Sequence, residues 1–201
     1  MENLHDSIWN HKNLILGAIG IFVYVGAEVS IGSFLVNYFH QDFMGAMPEQ
    51  AAARLVTFYW GGAMVGRFLG SALLQKISTR KLLAFNALVA CGLVVTSMLA
   101  SGNIAVYSII LVGFFNSIMF PSIFTLGIAG LGKLTAKGSA IMVTAIVGGA
   151  LLPLVQGLLA DRIGIHHAFI IPVLCYLYIA YFGSVTREEG GESSSRDLAK
   201  A

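Results

Sequence analysis

Charge is scarce in this chain: 11% of its 201 residues are Asp, Glu, Lys or Arg, against 57% hydrophobic residues. With a mean hydropathy of +0.80, that balance excludes a freely soluble globular domain and places the chain in a lipid bilayer. Cysteine is scarce too. Cys91 and Cys175 both fall inside apolar runs, so no disulfide framework and no CxxC metal or redox motif is expected. Histidine and aspartate are missing from every apolar run, since the histidines sit at 5, 11, 40, 166 and 167 and the aspartates at 6, 42, 161 and 197. Those gaps exclude an intramembrane aspartate pair, a histidine pair for haem and a serine–histidine dyad. The adjacent His166 and His167 are a weak metal-binding pair at most. With no phosphate-cradling glycine loop and no large basic patch, the chain offers no catalytic set, no expected cofactor and no nucleic-acid partner.

What it does have is apolar length. Runs of about 20 residues or more, enough to cross hydrocarbon, cover roughly 14 to 39, 55 to 75, 82 to 100, 104 to 131, 139 to 160 and 168 to 185. The expected fold class is an all-α membrane protein with six transmembrane helices packed as one bundle. High Gly, Ala and Ser content supports close packing, because lipid gives helices little apolar reason to associate. In the second span Gly62, Gly66 and Gly70 repeat every fourth residue on one face. Phe58, Tyr59 and Trp60 lie toward its outer end, where rings often form an interfacial belt; the other reading of Trp60 is a ring stacked on a ligand.

Orientation follows the lysines and arginines, which collect on cytoplasmic flanks. One side holds Lys12, Lys76, Arg80, Lys81, Lys133, Lys137, Arg187, Arg196 and Lys200, and the other only Arg54 and Arg162. Both termini are therefore expected in the cytoplasm. Residues 1–13 read as a cytoplasmic lead-in without a signal-cleavage pattern, residues 14–185 as the transmembrane domain, and residues 186–201 as a disordered polar tail.

Glu28 is the one charged group in the first apolar run, LILGAIGIFVYVGAEVSIGSFLVNYF. An ionisable side chain at mid-bilayer costs roughly 2.5 kcal/mol or more, so it usually faces a polar path, a substrate site or a partner charge. By helix rise it lies ~21 Å from Leu14 and ~16 Å from Phe39, and Arg67 of the second span is similarly central. Two readings stand: a structural Glu28–Arg67 ion pair, or a place on a substrate or proton path. On the first helix Gly17, Tyr24, Glu28 and Gly32 share one stripe, and Gly26, Ser30, Ser33 and Asn37 a second. The glycines and serines of GAEVSIGS would also permit local unwinding. In the fourth span Asn116 and Ser117 precede Pro121, and an amide there either hydrogen-bonds a sugar hydroxyl or bridges two helices. Gln156 in the fifth span is similar. Pro121, Pro153 and Pro172 each remove a backbone donor within a span.

The motifs YVGAEVSIGSFLVNYF, YWGGAMVGRFLGSALL, GFFNSIMFPSIFTL and QGLLADRIG together resemble, in order, the fucose, glucose and galactose proton symporters of the major facilitator superfamily. The resemblance covers about 14 to 185 and is to the C-terminal six-helix half of a twelve-helix fold. It implies proton-driven monosaccharide uptake across a bacterial inner membrane. It also implies that the first and fourth helices line the central cavity, which are the helices of Glu28 and Asn116. The expected substrate and proton pathway residues are Glu28, Tyr24, Asn116, Arg67, Asn37 and Gln156. Expected partners are a monosaccharide, a proton, the bilayer, and either the missing N-terminal half or a second copy of the chain. The rival reading is a six-helix fragment or membrane scaffold that transports nothing.

Overall fold

A computed structural model describes residues 8–186, so the tail and most of the lead-in lie outside the described residues. After a short 3-10 turn at Ile8–Asn10, the helices are α1 (Lys12–Phe39), α2 (Glu49–Leu74), α3 (Thr79–Leu99), α4 (Gly102–Asn116), α5 (Met119–Ile128), α6 (Thr135–Thr144), α7 (Gly148–Ile163), α8 (Ile165–Ala168) and α9 (Ile170–Val185). No strand occurs among the described residues. Among the described residues these nine helices make six rods, because α4 with α5, α6 with α7, and α8 with α9 each form one broken span. Among the described residues five stretches are both long and apolar enough to cross a membrane: 12–39, 79–99, 102–128, 132–163 and 165–185. At 26 residues α2 is long enough but is not among those five. It starts six residues before the expected 55, and that added turn and a half contains Glu49, Gln50 and Arg54.

The breaks in the fourth and sixth spans follow the prolines. Proline has no N–H to return to the carbonyl four residues back. The fourth span breaks at Ser117 and Ile118, just before Pro121, and the sixth at Phe169, just before Pro172. In the fifth span a 3-10 turn at Ala145–Val147 precedes the helix that contains Pro153. The unwinding that GAEVSIGS would permit does not occur, and α1 is helical throughout. Its glycines serve packing instead. A Cβ at Gly26 would run into Leu152 of α7, and one at Gly32 would come within 2.9 Å of the Trp60 indole.

α1 is the central rod, packed against α2, α5, α7 and α9, while α3 packs on α9 and α4 and α2 packs on α4. Close approach depends on small residues. A Cβ at Gly17 would lie 2.9 Å from the Gly127 backbone, and one at Gly66 would collide with the Phe114 carbonyl and lie 2.6 Å from Ser117 Oγ. Gly62, Gly66 and Gly70 all face the fourth span, as the four-residue spacing anticipates. The fifth span is different, with 17% of its most apolar window buried against 44 to 56% in the other four. Leu151, Leu154, Val155 and Leu158 of α7 and Phe58, Met64, Val65 and Phe68 of α2 are left exposed.

Gly66→Val should destabilise the bundle by about 1–3 kcal/mol, the range for overpacking. Gly61→Ala, which meets nothing within 4 Å, should leave stability unchanged, as read by denaturant unfolding of the purified protein.

Candidate functional site

The site is assembled from four rods. Glu28 is half-buried on α1 and accepts a hydrogen bond from the hydroxyl of Tyr24, one turn back, at 2.9 Å. The same hydroxyl lies 2.9 Å from the main-chain carbonyl of Asn116, the last residue of α4. Asn116 is fully buried. Its Nδ2 donates to Tyr59 of α2 at 3.0 Å, and its Oδ1 accepts from Tyr176 of α9 at 2.8 Å. Tyr24, Tyr59 and Tyr176 are all at most 1% exposed. Three phenols from three helices thus converge on one residue at the break of a fourth, and each finds a partner that lipid could not supply.

Of the two readings, a direct Glu28–Arg67 ion pair is not among the contacts of the described residues. Arg67 acts on Glu28 through space, but its Nε donates to the Ser117 carbonyl at 3.4 Å. The reason is local chemistry. Pro121 cannot serve the carbonyl of Ser117 four residues back, so a guanidinium from the neighbouring helix takes it, while Tyr24 occupies the carboxylate. Glu28 and Arg67 are therefore joined through the broken fourth span, not directly.

The remaining expected residues stand apart from this network. Asn37 is exposed, nine residues further along α1 or ~14 Å by helix rise, and its main-chain carbonyl accepts from Gln41 Nε2 at 3.2 Å. Gln156 is fully buried, but neither its Nε2 nor its Oε1 has a hydrogen-bond partner. Ser30 on α1 is likewise buried with an unpartnered Oγ. The α1–α7 contacts pair Val25 and Val29 with Gly149 and Phe34 with Gly157, which sets Ser30 and Gln156 at nearby levels of the same interface. His166 packs edge-on to Phe43 and stacks on Tyr38, and His167 Nδ1 lies 3.1 Å from the Ile163 carbonyl.

Sequence reasoning missed Tyr176 and misplaced Tyr59. The interfacial-belt reading fails for Tyr59, whose ring is fully buried and whose hydroxyl points at Asn116. Trp60 beside it is 46% exposed and meets Tyr59 edge-on at 5.2 Å. A signal was present, since a phenol in mid-span needs a hydrogen-bond partner within the bundle. Tyr176 meets that description, and Asn116 is such a partner.

Asn116→Ala should cost about 1–3 kcal/mol, because it strands two buried hydroxyls. Tyr176→Phe should cost less, and the double variant should show a coupling energy of about 0.5 kcal/mol or more in a double-mutant cycle of unfolding free energies.

No protein-family model matches the chain. It is 55% identical over 184 residues to a glucose/galactose transporter of Brucella abortus, covering 92% of this chain and 45% of that protein. It is 36% identical over 162 residues to the L-fucose-proton symporter of Escherichia coli, covering 80% of this chain and 37% of that one. The crystal structure of the E. coli fucose:proton symporter superposes with a TM-score of 0.86 at 32% identity, covering 90% of this chain and 44% of that one. The chain thus spans about half the length of the curated relatives it matches, and those relatives are transporters, not enzymes. In sequence the chain is similar to one half of these glucose/galactose and fucose transporters, and its fold is that of one half of a major facilitator transporter.

Proposed function

We propose that this chain is the C-terminal half of a proton-coupled monosaccharide importer of a bacterial inner membrane, with both termini in the cytoplasm. The observation that carries the reading is Glu28: a half-buried carboxylate in mid-span, hydrogen-bonded to Tyr24, in a chain similar to named sugar transporters. An acid kept at that depth in a sugar transporter is best explained by contact with the proton, the sugar, or both. Trp60 adds support. Its indole packs on Gly32, one turn from Glu28, and remains partly exposed, so it offers a sugar an apolar face beside a carboxylate. Asn116 has its amide engaged by tyrosines and so orders the site's wall. Gln156 and Ser30 retain free hydrogen-bonding capacity for a hydroxyl or water.

The partner reading rests on surface. α2 and α7 leave large apolar side chains exposed, and the fifth span is the least buried of the five apolar stretches. An N-terminal half seated against these helices would cover that surface and close a cavity over Glu28. A second copy of the chain is the alternative, and cross-linking in membranes separates the two.

Glu28→Gln in the complete transporter should lower proton-driven sugar accumulation at least tenfold while sparing membrane insertion. Accumulation equal to the parent at limiting and saturating sugar would rule out the role assigned to Glu28.

A further inference from the structure

The joint between α4 and α5 is held by donors from two other helices, and both donors also interact with Glu28. The Tyr24 hydroxyl has one hydrogen and stands 2.9 Å from each of two acceptors, Glu28 Oε1 and the Asn116 carbonyl. It cannot donate fully to both. With Glu28 ionised, the charge-assisted bond to the carboxylate is the stronger, and the Asn116 carbonyl is underserved. When Glu28 takes up a proton, its carboxyl becomes a donor. It then donates to the Tyr24 oxygen, and the phenolic hydrogen is released to the Asn116 carbonyl.

Arg67 adds a second arm to the same joint. Its Nε contact with the Ser117 carbonyl is long, at 3.4 Å, and Glu28 acts on the guanidinium electrostatically. Neutralising Glu28 removes that competing pull. The polar groups set around this carboxyl from the packed helices are Arg67 and Tyr59 of α2, the Asn116 main chain of α4 and Tyr176 of α9. α5 has no ionisable side chain, and the charged groups of α6 and α7, Lys137, Asp161 and Arg162, lie toward the two ends of their span.

We propose that Glu28, Tyr24 and Arg67 form a relay in which protonation of Glu28 tightens the joint at residues 116–118 and deprotonation loosens it. The relay makes Tyr24 and Arg67 positioning residues for the fourth span. It rests on the reading of Glu28 as a group that changes protonation, and deepens it, but does not require that sugar uptake be measured.

The test uses the full chain in lipid nanodiscs, with Cys91 and Cys175 replaced by Ala and spin labels attached at Tyr107→Cys and Thr125→Cys, two exposed positions on α4 and α5. Pulsed electron resonance should give a narrower distance distribution in acid than in alkaline buffer. Glu28→Gln should be narrow at both, and Tyr24→Phe should show a smaller pH response, carried by Arg67 alone. A parent chain with no pH response overturns the relay, as does a response that survives in Glu28→Gln or one undiminished in Tyr24→Phe. Glu28→Gln preserves side-chain shape and keeps the test decisive if Tyr24→Phe fails to fold. Uptake by the complete transporter is scored separately: impaired uptake in Glu28→Gln with no pH response in the parent chain overturns the relay alone. Unimpaired uptake with the response present overturns only the transport role.

Discussion

A polar side chain inside a bundle as thick as a bilayer has no water to return to, so every donor and acceptor must be matched within the protein. That constraint organises this molecule around Asn116. Its amide and carbonyl receive three tyrosine side chains from α1, α2 and α9, and the residue sits where the fourth span is interrupted. Loss of one hydrogen bond in a membrane bundle averages about 0.6 kcal/mol. A hub that engages three phenols at once, two through its side chain and one through its main-chain carbonyl, couples four rods through one residue, which makes its contribution larger than any single bond.

The break in the fourth span and the hub beside it have the same origin. Pro121 removes the donor for the Ser117 carbonyl, and Arg67 reaches across from α2 to replace it. The glycine spacing on α2 makes that reach feasible, because a Cβ at Gly66 would meet both the Phe114 carbonyl and Ser117. Small residues bring the helices close enough for a long side chain to mend what the proline opened. An intramembrane arginine that looks like a counter-ion in the sequence is, in the fold, first a cap for a helix end.

Much of this was legible from residue order. Six apolar runs, the unusual depth of Glu28 and Arg67, the glycine face of α2 and the polarity of Asn116 all require only hydropathy and helical periodicity. What escaped was direction and choice of partner. Periodicity fixes which residues share a face, but not which of two neighbouring acceptors a hydroxyl selects or which carbonyl a guanidinium serves. Tyr59 shows the limit, since its position near a span end fits a ring at the lipid surface, and only the approach of α4 at Gly113 turns its hydroxyl inward to Asn116. Gln156 shows another, because its place on α7 was plain while the absence of any partner for its amide depends on packing.

The sparse burial of the fifth span bears on how the bundle comes together. A helix that leaves most of its apolar surface outside the bundle is already at home in lipid, and its residence in the bilayer does not depend on its neighbours. It meets α1 along a seam that runs from Phe22 beside Gly148, through Gly26 beside Leu152, to Phe34 beside Gly157. The other rods are knitted together by buried hydroxyls and amides. This span can therefore sit in the membrane as an independent helix, without the buried polar links that tie the other rods together.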